Sequence, residues 1–430
     1  MSLLLFVVFL ALMFAGVPLG VAMGLSGTAV VYLADLGLMS LPTSVYTGIA
    51  KYPLLAIPVF VLAGMVFERS GVALRLVRFA VAIVGERRGG LAIAAILVCM
   101  VLGGISGSGP ADAAAVATVM IPGMLRAGYP AAFSASVIAA AGSTAILIPP
   151  SIAFILYSVL VPEASVPALF AGGLIPGILA GLALMLPSWW LSVRHDFGAR
   201  NPADREIKLS FGQAFKEALW GLAAPVLILG GMRSGAFTPT EAAVVAVFYG
   251  LFVGLVVYRT LTWQSIYDVL AESAEVSGVI MLIIALASVF AWAGSTLGAF
   301  EALGALLIGL SLNEIVVLLA VTVLLLIAGM FLDAVSILFI FVPFLLPVIA
   351  HFKWDAVWFG VIMTMNMAIG QFTPPMAINL MVTCRIASIR IEETVPWVLW
   401  LVASMTGSLL LVTFIPDLAL AVPRALGYLN

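Results

Sequence analysis

Between Arg88 and Arg126 the chain carries a single charged residue, Asp112, and a second stretch, 313–350, carries only Glu314 and Asp333. A helix needs about 20 apolar residues to cross a bilayer, so each stretch is too long for one crossing and must double back. Few folds are open to such runs, because hydrocarbon leaves every backbone amide to be satisfied internally, by helices or by a closed barrel. A barrel would show segments of about 10 residues alternating in polarity. Here the runs are continuous. Hydrophobic residues make up 64% of the chain, charged residues 9%, and mean hydropathy is +1.26. Soluble domains are charged at about a quarter of positions. The sequence therefore predicts an all-α polytopic membrane protein. Its net charge of −2 supplies no basic footprint for nucleic acid, and membrane lipid is the expected surround.

Hydropathy divides the chain into 1–193, a polar linker at 194–217 ("RHDFGARNPADREIKLSFGQAFKE") and 218–430. The N-terminus has no basic region ahead of its apolar run and reads as a retained first helix, not a cleaved signal. Segments 70–86 and 262–276 mix charge with apolar residues at helical spacing, which predicts helices lying along the interface. Cys99 and Cys384 sit far apart in separate apolar segments and predict no disulfide. Let the linker be cytoplasmic, each apolar block cross once, and the two long blocks return to their own side. Then 14 of the 18 Lys and Arg lie inside, leaving Lys51, Arg233, Lys353 and Arg424 outside. The positive-inside rule favours this orientation over its mirror, with both termini and Glu163 outside.

A shift of 225 residues places Gly104 on Gly329, Ser108 on Asp333, Pro122 on Pro347, and the pair Pro149–Pro150 on Pro374–Pro375. One shift that satisfies a glycine and three prolines reads as an internal repeat. By the charge argument 89–125 begins and ends inside while 313–350 begins and ends outside, so the repeats are inverted, as in many secondary transporters. Each repeat then holds scaffold helices, a hairpin (about 89–125, inner side; about 313–350, outer side) and a broken helix (about 130–160; about 354–383). The breaks follow from the Pro-Pro pairs, which remove two amide donors and force the preceding residue out of the helical region.

Broken helices at membrane depth survive only where protein or a wet cavity covers them. Their free carbonyls, with Ser and Thr hydroxyls, are hard oxygen ligands for a small cation such as Na⁺, while opposing helix N-termini face an anion. "GISGSGPAD" at 104–112 thus reads as the tip of a re-entrant hairpin beside the first break. A blander reading also stands, in which 89–125 forms two short spans joined by an external Ser-Gly turn. Asp333 is a functional candidate because ionisable groups inside membranes are expensive. Asp112 has two readings, ligand contact or stabilisation of a helix N-terminus. Glu241 fits a capping box with Thr238, with Pro239 at the first helical position. His195 and His351 fall at block ends and suggest no chemistry.

Five motifs in order, "GISGSGPADAAAVATVMIPGMLRAGYP", "GSTAILIPPS", "GAFTPTEAAVVAVFYG", "GMFLDAVSILFIFVPFLLP" and "NMAIGQFTPPMAINL", resemble the large membrane subunit of the tripartite ATP-independent periplasmic (TRAP) transporters, the DctM-type permease. The resemblance runs the whole length. It implies a Na⁺-driven, elevator-type importer of organic anions (C4-dicarboxylates, sialic acids, sugar acids or keto acids) in a bacterial inner membrane, with both termini periplasmic. It also implies two partners, a small four-helix DctQ-type membrane subunit and a periplasmic DctP-type binding protein. Carried over by position, Ser106, Gly107 and Ser108 with Gly142, Ser143 and Thr144 form one sodium site. Gly329 and Asp333 with Gly370, Thr373 and Pro374 form the other. The substrate carboxylate lies between them, near Ser106, Ser108, Asp333 and Asn366. The chain departs from the family at Gly109–Pro110, where a second serine followed by alanine or proline is common, so a hydroxyl ligand at 109 is missing. It also lacks the extra N-terminal helices of fused members, which makes the small subunit a separate polypeptide.

Two other classes remain open in the sequence. A stand-alone ion-coupled carrier would share hairpins and repeats without needing a partner. A membrane-embedded enzyme would need a metal or nucleophile cluster at depth, and the chain has only two histidines and no HExxH spacing.

Overall fold

The computed structural model of the chain describes residues 1–84, 87–198, 210–309 and 313–429. Helices are the only regular elements among them. The first half opens with α1 (Ser2–Phe14), α2 (Leu19–Leu33), α3 (Ser40–Ile49), α4 (Ala56–Arg69) and α5 (Val72–Val84). It continues through the pair α6 (Gly90–Ser106) and α7 (Gly109–Arg126), the interrupted α8 (Ala131–Ser143) and α9 (Ile152–Leu160), and α10 (Val166–Arg194). The second half holds α11 (Phe211–Arg233), α12 (Pro239–Phe252), α13 (Trp263–Thr296), α14 (Ala299–Gly309), the pair α15 (Glu314–Gly329) and α16 (Ala334–Phe352), the interrupted α17 (Ala356–Gly370) and α18 (Ile378–Ala387), then α19 (Val395–Phe414) and α20 (Asp417–Ala425). Among the described residues, seven helices are long and apolar enough to cross a bilayer.

Adding 225 to the bounds of α6, α7, α8 and α9 gives 315–331, 334–351, 356–368 and 377–385. These lie within two residues of α15, α16, α17 and α18. The Pro149–Pro150 and Pro374–Pro375 bonds are both cis.

Local chemistry explains several helix starts. Thr238 and Glu241 form the expected capping box, the Thr238 amide and hydroxyl each donating to Glu241 Oε2 at 2.8 Å. Ser210 and Gln213 do the same for α11. Asp355 Oδ1 accepts from the Val357 and Trp358 amides at 2.8 and 3.0 Å, which starts α17.

Two expectations change. Segment 262–276 is not a separate interfacial helix but the first part of α13, which runs unbroken through 34 residues or about 51 Å at 1.5 Å per residue. Hydropathy falls along its polar half while helix propensity does not, so the two halves read as different elements in sequence. α1 and α2, of 13 and 15 residues, are shorter than the about 20 residues a full crossing needs, although the orientation argument let each apolar block cross once. The 70–86 helix is present as α5, packed on α6 and α11. Residues 199–209 of the linker, with Arg200, Arg205 and Lys208, lie outside the described residues.

The interrupted helices form the centre. α8 and α17 are almost wholly buried. α7 packs on both α8 and α18, α15 packs on α17 and α16 on α9, so each helix pair leans on its own break and also reaches the break of the other half.

Candidate ion and substrate site

At the first tip α6 ends at Ser106 and the chain turns through Gly107 at φ +62°. A methyl on Gly107 would overlap the Pro150 carbonyl oxygen. Glycine is therefore required twice over, by its left-handed backbone and by the press of the tip against the first break. Ser106 Oγ donates to Asp112 Oδ1 at 2.7 Å and accepts from the Ser108 amide at 3.1 Å. Ser108 is the N-cap of α7, yet its hydroxyl makes no capping bond. Gly142 packs against the Gly109 carbonyl and Ala113. The buried Ser143 and Thr144 hydroxyls each donate to a carbonyl three residues back, Ala140 and Ala141, at 2.7 Å. Their oxygen lone pairs stay available as acceptors. The structure thus brings Ser106, Gly107, Ser108, Gly142, Ser143 and Thr144 into one region.

At the second tip Gly329 and Gly370 meet backbone to backbone, where a methyl on Gly370 would overlap Gly329. The Met376 amide donates to the Met330 carbonyl at 3.2 Å, tying tip to break. Thr373 Oγ1 donates to the Ile369 carbonyl at 2.6 Å, and Pro374 begins the cis pair. Asp333, the functional candidate of the second tip, is also a helix cap. It is the N-cap of α16: Oδ2 accepts from the Val335 and Ser336 amides at 3.0 and 3.3 Å, and Oδ1 accepts from Ser336 Oγ at 2.5 Å.

Sequence reasoning passed over two amides that link the halves. Asn379 Nδ2 donates to the Ala139 carbonyl at 3.1 Å, and its backbone amide to the Gln371 carbonyl at 2.9 Å. Gly109 fits between Gln371 Oε1 and Asn379 Nδ2, where a methyl would overlap the Gln371 oxygen. The missing hydroxyl at 109 thus coincides with a space that a side chain could enter only if Gln371 moved aside. Both amides stand in "GQFTPPMAINL", a polar interruption whose partners across the molecule no local pattern reveals.

The region is short of donors. Among the described residues, every buried side-chain nitrogen or oxygen without a hydrogen-bond partner is an acceptor here: Asp112 Oδ2, Asn366 Oδ1, Gln371 Oε1 and Asn379 Oδ1. The orientations of Asn366 and Asn379 are fixed, because each Nδ2 donates to a carbonyl, Ile362 in the first case at 2.9 Å. An unmet buried acceptor costs about 1–3 kcal/mol, and more when charged. Four of them in one region fit hard cations, to which carbonyl and carboxylate oxygens are the natural ligands. No group of three or more His, Cys, Asp or Glu converges among the described residues, so neutral oxygens dominate the donor set.

Helix ends add an opposite polarity. α7, α9, α16 and α18 all begin at the two tips and two breaks. α9 is capped by Ser151, which accepts from the Phe154 amide at 3.3 Å, and α16 by Asp333. α7 and α18 start at Ser108 and Ala377 without a side-chain cap, and they pack on each other. Of their first residues, Asn379 already gives its amide to the Gln371 carbonyl and Pro110 has none; the remaining amides of this pair of N-termini have no side-chain cap, which suits an anion.

A family model described as the DctM component of the tripartite ATP-independent periplasmic transporter matches residues 6–418. The chain is 41% identical over 412 residues to the C4-dicarboxylate TRAP transporter large permease protein DctM of Pseudomonas aeruginosa, covering 94% of each. It is 38% identical over 417 residues to the isethionate TRAP transporter permease protein DctMQ of Oleidesulfovibrio alaskensis, covering 96% of this chain and 65% of that one. Its fold is similar to the crystal structure of the Alcanivorax borkumensis YdaH transporter, with a TM-score of 0.63 at 16% identity over 87% of this chain and 88% of that one.

Proposed function

Because the chain belongs to the DctM family of tripartite ATP-independent periplasmic transporters, whose members are permease subunits and not enzymes, we propose that it is the large membrane subunit of a Na⁺-coupled importer of organic anions. The observation that carries sodium coupling is the donor deficit. The only buried side-chain nitrogens or oxygens without a partner among the described residues are four oxygens around the tips and breaks. Ser106, Gly107 and Ser108 with Gly142, Ser143 and Thr144 would hold one ion. Gly329 and Asp333 with Gly370, Thr373 and Pro374 would hold the other, Asp333 adding charge through lone pairs its cap leaves free. Bound Na⁺ would supply the positive charge this acceptor-rich centre lacks.

The anion belongs at the uncapped starts of α7 and α18, where the Ser108 hydroxyl is free to donate. Ser106 donates to Asp112, while Asn366 gives one of its two amide hydrogens to the Ile362 carbonyl and keeps the other for a carboxylate. The relatives' names span a dicarboxylate and a sulfonate. Recognition by backbone amides and a hydroxyl accommodates both headgroups. The seating of Gly107 on Pro150 supports re-entrant hairpins, and an elevator motion would carry the hairpins and broken helices past the outer helices as one body. The linker faces the cytoplasm and both termini the periplasm of an inner membrane. A small membrane subunit and a periplasmic binding protein complete the transporter.

Uptake into proteoliposomes tests this, with a binding protein added and choline replacing sodium in the control. Ser108→Ala and Thr373→Ala are expected to raise the sodium concentration for half-maximal uptake by about tenfold, the effect of about 1.4 kcal/mol in binding, with protein abundance unchanged. Unchanged sodium dependence in both variants would refute coupling at the tips. Uptake that needs no binding protein would identify a stand-alone carrier instead.

A further inference from the structure

The first hairpin touches more than the breaks. α4 runs beside α6, and they meet at Gly64, where a methyl would sit 3.1 Å from Ser106 Cβ. Beside that contact lies a crevice of about 10 Å³ lined by Gly64, Glu68, Ser106 and Asp112 among others, room for one water-sized body. Asp112 is 4% exposed. Its Oδ1 is taken by the Ser106 hydroxyl, and its Oδ2 has no partner. A buried carboxylate oxygen left this way demands a donor, a cation or a proton of its own.

We infer that Glu68 and Asp112 bind one small monovalent cation between α4 and the first hairpin. The crevice presents hard oxygens, two carboxylates and a serine, which select an alkali cation over a metal that prefers nitrogen or sulfur. The basic residue next to Glu68 is already committed elsewhere: Arg69 donates to Glu272 of α13 at 2.6 Å. Its charge is therefore shared between Glu272 and Glu68 and leaves the buried Asp112 without a basic partner. α4 packs on α12 and α13, and the hairpin packs on α8 and α18 and also on α5. An ion held by Glu68 on one side and Asp112 on the other pins two bodies that an elevator motion would separate. Ser106 and Asp112 belong to the first tip, so this ion would sit on the α4 side of that tip, and Glu68 is the ligand that no tip or break supplies.

The test is equilibrium binding of radioactive Na⁺ to the full-length protein in detergent, with choline chloride holding ionic strength constant. Glu68→Gln is expected to bind one Na⁺ fewer per chain than the unaltered protein, and Asp112→Asn the same. Equal stoichiometry and affinity in Glu68→Gln would overturn the proposal, as would loss in Glu68→Gln with none in Asp112→Asn. If Asp112→Asn does not fold, Glu68→Asp replaces it, and a further fall in affinity without loss of the site is the supporting result; unchanged affinity overturns it. A Glu68→Gln effect seen only as a change in pH dependence, with sodium binding intact, would assign a shared proton and overturn the cation. Failure of sodium coupling at the tips reads out separately, as unchanged sodium dependence in Ser108→Ala and Thr373→Ala whatever the count in Glu68→Gln.

Discussion

The two hairpin tips occupy equivalent places in the chain and solve the turn differently. The first reverses through a single left-handed glycine between Ser106 and Ser108. The second takes four residues, 330–333, none with positive φ. Each has an aspartate near the start of its second arm, but Asp333 is the N-cap and Asp112 lies within the first turn of α7. A side chain at the N-cap reaches back to the free amides of its own helix. One inside the first turn points outward to whatever packs there. The same residue type therefore becomes a satisfied cap at one tip and a buried oxygen in need of a cation at the other. Acidity in a membrane segment says little until its register to the helix start is known.

The largest effect should come from breaking the tight tip. Gly107→Ala places a β-carbon in a left-handed conformation, at about 1–2 kcal/mol, and overlaps the Pro150 oxygen, with overpacking at about 1–3 kcal/mol more. Melting in detergent is expected to fall by several degrees and uptake to be lost. Leu332, at the corresponding place 225 residues on, carries neither constraint, so Leu332→Ala should leave transport measurable. Equal damage in both would mean the tips are not built differently after all.

An intermediate effect separates the two jobs of Asp333. Asn caps a helix about as well as Asp, so Asp333→Asn should melt at an unchanged temperature. Its uptake should nevertheless fall several-fold with a weaker sodium response, because an amide brings no charge to the second site. Normal uptake in this variant would leave Asp333 as a cap alone.

How much of this the sequence revealed depended on whether the cause was local. The Pro-Pro pairs specify their breaks through missing donors, and both tips fall where glycine or the polar interruption placed them. The Thr238–Glu241 box was likewise legible, since cap and partner stand three residues apart. Segment 262–276 misled because its charge marks exposure, not a helix end. Gln371 and Asn379 stayed hidden, since their partners at Gly109 and Ala139 lie more than 200 residues away. The division of labour between Asp112 and Asp333 was hidden too, because it turns on where each helix starts.

The smallest effect sharpens the same contrast at the second break. Ala377 starts α18 at φ +41° with no capping side chain, so an alanine sits where the first tip uses glycine. Nothing forbids it sterically as Pro150 forbids a methyl on Gly107. Ala377→Gly would relieve a left-handed backbone worth about 1–2 kcal/mol, while giving up a buried methyl, about 0.8 kcal/mol, and gaining chain entropy in the unfolded state, about 0.4–1 kcal/mol. These nearly cancel, and the expected change in melting temperature is within a degree or two. Uptake should hold, because the amides of α18 keep their direction. A large loss in Ala377→Gly would show that the methyl itself positions the α18 amides, and that the second break depends on side-chain packing where the first depends on the lack of it.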